Sequence, residues 1–139
     1  MIRKSTMWSI VCFGLLTGCV AQSTHRARQA VAVDTRLQLG MAYLAERNLL
    51  AAKYHLQKVL LAEPHHSEAH LGMALLEQYA GQPETAGQHY RMAMQDAAGS
   101  DTVIHHYHLF LCEQKQYEKA EQLISENMPG RTRRYRCDK

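Results

Sequence analysis

Proline is scarce in this chain. Only Pro64, Pro83 and Pro129 interrupt its 139 residues, so little stands in the way of helices. Val, Ile and Thr are few beside Ala, Leu, Gln, Glu and Met, a balance that disfavours strands. No apolar run reaches the roughly twenty residues of a membrane-spanning helix. Neither sign of charge dominates: the formal net charge is +3, and +1 once Arg3 and Lys4 are set aside. That excludes a general electrostatic case for nucleic-acid binding. There is no nucleophile elbow, no phosphate loop, no paired-carboxylate pattern and no HExxH. The composition therefore points to a small all-α protein without catalytic residues, metal ligands or a bound cofactor. Its 46% apolar content suffices for one modest core.

The amino-terminal end reads differently from the rest. Met1 to Lys4 is short and basic, and Met7 to Leu16 is a nearly unbroken apolar run. That length fits the hydrophobic region of a signal peptide. It is followed by Leu16-Thr17-Gly18-Cys19, which resembles the lipobox of bacterial lipoproteins. The resemblance implies cleavage after residue 18 and covalent lipid on Cys19. The chemistry fits, because small residues admit the peptidase and a thiol makes the thioether. Several acyl chains anchor firmly, since each buried CH₂ contributes about 0.8 kcal/mol. Val20 rather than Asp after the cysteine points to the outer membrane. Residues 19–30 are polar and read as a lipidated tether.

From about residue 30 a period of about 34 residues emerges. Leu39, Gly40, Tyr43, Ala52, Leu56, Val59 and Pro64 match the tetratricopeptide pattern of paired helices. One period on lie Met73, Ala74, Glu77, Ala86, Tyr90, Ala93 and Ala98. The next lands on Tyr107, His108, Leu111, Ala120, Ile124 and Asn127. The alanine column Ala52, Ala86, Ala120 marks the close crossing of each helix pair, where little more than a methyl fits. The expected fold is a right-handed solenoid of about three repeats, 33–66, 67–100 and 101–127, within a domain at 31–127. Its six helices are expected at 31–46, 49–62, 67–80, 84–96, 102–114 and 117–127. Ser67 and Asp101 are expected as helix N-caps. Residues 128–139 form a basic tail with Arg131, Arg133, Arg134, Arg136 and Lys139. It reads as a solvated, mobile tail, or as a contact for anionic lipid or an acidic partner.

In such arrays the first helix of each pair lines a concave face. The expected groove residues are Leu37, Met41 and Leu44, then Leu71, Leu75 and Tyr79, then His105 and Leu109, with Cys112 beside them. A face this apolar suits an amphipathic helix or strand from a protein partner. Packing within the core is the alternative. Nine histidines are present, and His66 and His70 are spaced for one helix face. No acid stands at a matching ligand spacing, so they read as solvated or capping groups rather than metal ligands. With Cys12 removed and Cys19 lipidated, Cys112 and Cys137 remain for an oxidising compartment. A disulfide between them would contribute roughly 3.5 kcal/mol. A buried Cys112 with a free Cys137 is the alternative.

Lipobox, tether and repeats together resemble the type IV pilus biogenesis and stability lipoproteins, the PilF or PilW family. The residues that carry this are Leu39-Gly40-Met41-Ala42-Tyr43-Leu44, Ala51-Ala52-Lys53, Glu63-Pro64 and His89-Tyr90-Arg91-Met92-Ala93. With them go Tyr107-His108-Leu109-Phe110-Leu111-Cys112 and Tyr117-Glu118-Lys119-Ala120-Glu121. The family commonly has Tyr-Gly-x-Phe-Leu-Cys there, and His108 replaces its Gly. Members carry about twice this number of repeats, so the chain reads as a short variant. The resemblance implies a non-enzymatic, lipid-anchored, periplasm-facing protein whose partner is an outer-membrane secretin or another pilus assembly component. The alternative is a general envelope scaffold for tight-adherence pili or cell-wall machinery.

Overall fold

The computed structural model describes residues 18–96, 100–131 and 133–137, with side chains of the first helix described from Arg26 onward. The expected signal peptide, with Cys12, lies outside the described residues apart from Gly18, and the side chain of Cys19 is not described. Six helices are found among the described residues: α1 Gly18–Ala45, α2 Leu49–Ala62, α3 Ser67–Tyr79, α4 Pro83–Asp96, α5 Asp101–Glu113 and α6 Tyr117–Asn127. None is long and apolar enough to cross a membrane. Five agree with the expected spans to within one residue at either end. The exception is α1, which begins at Gly18 and runs through the expected tether. The reason is local: residues 19–39 contain no Pro or Gly, and their Ala, Gln and Arg favour helix.

The chain divides into two compact units, Met1–Thr35 and Arg36–Lys139. In the first, α1 carries an internal hydrogen bond in which Thr35 Oγ1 donates to the Val31 carbonyl at 2.8 Å. The second unit holds the repeats. Each helix pair turns by the same device, 34 residues apart. Arg47, Gly81 and Lys115 have φ of 60°, 73° and 57°. The following amides reach back over the turn: Asn48 to Tyr43 O at 2.9 Å, Gln82 to Glu77 O at 2.8 Å and Gln116 to Leu111 O at 2.9 Å. These are Schellman ends, which a glycine adopts without penalty and a residue with a Cβ does not.

Within each pair the alanine column is fully buried at Ala52, Ala86 and Ala120. Leu56 fills the first pair so closely that a Cβ on Gly40 would stand 2.9 Å from its Cγ. The core then continues through Leu71, Ala74, Tyr90, Val103, Phe110 and Leu111. Tyr90 is stacked by Tyr107, with ring centroids 5.3 Å apart, and tilted against Phe110 at 5.0 Å. The second and third repeats are joined there.

Two expected caps are corrected. The N-cap of α3 is His66, whose ring nitrogen accepts from the Ala69 amide at 3.4 Å, while Ser67 Oγ donates to Ala93 O at 3.0 Å. The N-cap of α5 is Ser100. Asp101 instead pairs with Arg131 at 2.7 Å. In both cases the next helix or the tail offered the polar side chain a partner farther along the chain.

The concave face and the clasped carboxy-terminal segment

The expected groove residues separate into two groups. Leu37, Leu44 and Leu71 are buried, and Leu71 belongs to the central core. Their expected exposure is corrected: these leucines lie on the edge of their helices that faces the core rather than solvent. Met41 and Leu75 are half-buried and His105 is exposed. Tyr79 and Leu109 remain 43% and 44% exposed, enough for large apolar side chains to offer a contact.

Polar groups fix this face. The Arg47 guanidinium lies 3.6 Å over the Tyr79 ring, a cation–π contact that orients the phenol. Gln78 Nε2 donates to Glu113, and Gln78 Oε1 accepts from Tyr90 OH at 2.9 Å. Burial, with Glu113 nearby, pushes the Tyr90 phenol well above its ordinary value, so it stays a donor. Lys53 in α2 pairs with the nearly buried Glu77 in α3 at 3.0 Å. That partner is what lets a carboxylate occupy a position where the repeat ordinarily holds a tyrosine.

Histidines reach inside where none was expected. His70 Nε2 donates to Pro64 O at 2.9 Å, and its Nδ1 shares a hydrogen bond with His89 Nδ1 at 3.1 Å. Burial first, then the His70 charge, lowers the His89 pKa. The signal available in the sequence was position: His108 stands in the column of Gly40 and Ala74, which packing requires to be inside.

The basic segment is held, not free. Cys112 and Cys137 form a disulfide with Cα atoms 5.4 Å apart. Met128 is buried with Ile104 and Ile124, and Tyr135 packs against them. The Tyr135 ring meets His105 and His108 edge-on, at 5.7 and 5.5 Å. Ile124 stands one period after Tyr90, so Met128 and Tyr135 cover the third pair as Tyr107 and Phe110 cover the second. Arg133, Arg134 and Arg136 stay exposed. A cleft of about 490 Å³ separates Arg133, Tyr135 and Arg136 from Glu118, Glu121 and Gln122.

A stack of helix pairs that leaves Tyr79 and Leu109 exposed, without strands among the described residues, defines an all-α tetratricopeptide-type repeat protein. No family model matches the chain. It is 36% identical over 117 residues to the type IV pilus assembly protein PilF of Pseudomonas aeruginosa, covering 80% of this chain and 46% of that one. It is 31% identical over 108 residues to an uncharacterised Haemophilus influenzae protein, covering 78% of this chain and 60% of the other. A solved structure of P. aeruginosa PilF superposes with a TM-score of 0.68 at 35% identity, over 73% of this chain and 46% of that chain. The chain belongs to the PilF-type family of type IV pilus biogenesis proteins. It spans about half the length of the curated relatives it matches.

Proposed function

We propose that this protein acts in type IV pilus biogenesis as a non-enzymatic binding module. The observation that carries the reading is the 36% identity to PilF across 80% of the chain. The exposed Tyr79 and Leu109, with the half-buried Leu75 one turn before Tyr79, supply the apolar contact. An amphipathic segment of an outer-membrane secretin subunit is the partner this face fits, with apolar anchors against it and polar groups toward Gln78 and Glu113. Lipid on Cys19 anchors the protein to the outer membrane, facing the periplasm, and carries the bound secretin there for assembly.

The test follows secretin multimers in separated inner and outer membranes, in a deletion strain and in one making the Cys19→Ala protein. Loss or inner-membrane retention of multimers in both strains is expected. Unchanged multimers in the deletion strain would remove the secretin from the account and favour a scaffold for other envelope machinery.

A further inference from the structure

The third helix pair places a histidine where the first two hold Gly40 and Ala74. His108 is only 2% exposed, and nothing in partner binding uses it. Its Nε2 stands 3.5 Å from Cys112 Sγ and 4.0 Å from Cys137 Sγ. One ligand atom from each of the three residues lies within 4.8 Å of the other two. His108 and Cys112 are four residues apart on α5, so they share a face, and Cys137 arrives from the carboxy-terminal segment. In a tetrahedral zinc site, Zn–S near 2.3 Å and Zn–N near 2.0–2.1 Å set the N···S edge at about 3.6 Å. Both nitrogen–sulfur separations are already close to that edge. The Tyr135 ring meets the imidazole edge-on, with centroids 5.5 Å apart, and helps hold its plane.

We propose that, once the Cys112–Cys137 bond is reduced, His108 Nε2 and the two thiolates bind one thiophilic divalent cation of the zinc class, with water as fourth ligand. A dithiol reductant supplies two electrons and two protons to the S–S bond and itself closes to a disulfide. Each cysteine then gives its proton to solvent as its sulfur takes the metal. The segment is thus clasped to α5 either by oxidation or by metal. This site lies beyond the pilus reading and does not depend on it.

The test uses the full chain carrying Cys12→Ser and Cys19→Ser, so that only these two thiols remain. The protein is reduced, freed of reductant without air, and titrated with Co²⁺ and then Zn²⁺. One equivalent of cobalt is expected, with tetrahedral d–d absorption and a thiolate charge-transfer band that zinc abolishes. His108→Ala, and His108→Phe as a ring-preserving control, should each weaken binding at least about tenfold. Cys137→Ser, on the outer segment, should weaken it as much and shrink the charge-transfer band. The oxidised chain should bind no cobalt. No stoichiometric binding by the reduced chain overturns the site, as does undiminished affinity in folded His108 variants or in Cys137→Ser. Equal binding by the oxidised chain overturns it too.

Discussion

At the residue scale, the period decides which side chains matter. Leu56 is fully buried between the first two pairs, in contact range of Gly40 and Gly72. Leu56→Ala should cost about 3 kcal/mol in chemical denaturation. Leu50→Ala, at a site 84% exposed, should cost less than about 0.5 kcal/mol. The interior histidines add a pH dependence. Burial lowers the pKa of His89, His106 and His108 from 6.5. The unfolded chain therefore binds more protons than the folded one below about pH 6.5. Stability is unaffected by these groups above that pH and falls as pH drops through 6.5 toward their folded values. Denaturation midpoints between pH 8 and pH 5 should show the decline, and His89→Gln should flatten part of it. A midpoint that does not fall over this range would contradict the buried, neutral state of these rings.

At the element scale, the pairs and their turns were legible because the signals repeat. The alanine column and the breaks at Arg47, Gly81 and Lys115 recur together, and packing leaves each little choice. Two of the three turns lack the glycine that the left-handed backbone favours. Lys115→Gly should therefore raise stability by about 1 kcal/mol, measured against the parent by urea denaturation. What the sequence did not disclose was tertiary. Ser67 and Asp101 looked like caps, yet each bonds a group some thirty residues away that no local pattern announces. The arginine-rich segment looked mobile because its charges are visible in sequence, while its anchors, Met128, Tyr135 and Cys137, are scattered single residues. Under oxidising conditions Cys137→Ser should lower stability by roughly 3 kcal/mol. A loss below about 1 kcal/mol would mean that the segment stays docked without its covalent link.

At the scale of the whole molecule, the candidate face was only partly legible. Helical periodicity brought Leu37, Met41 and Leu44 onto one face, but it cannot separate a core-facing edge from a solvent-facing one when both carry apolar side chains. Burial makes that division and leaves Tyr79 and Leu109 as the large apolar side chains among the eight expected groove residues that remain exposed. Because neither is in the core, replacing both tests binding without unfolding the repeats. The most direct measurement is the yield of secretin multimers in outer membranes of cells making the Tyr79→Ser, Leu109→Ser protein as their only copy. Its cellular level and thermal midpoint are checked beside the parent. Multimers should fall to the level of the deletion strain while the protein stays folded and abundant. Parental multimer levels with a folded double variant would contradict binding through this face.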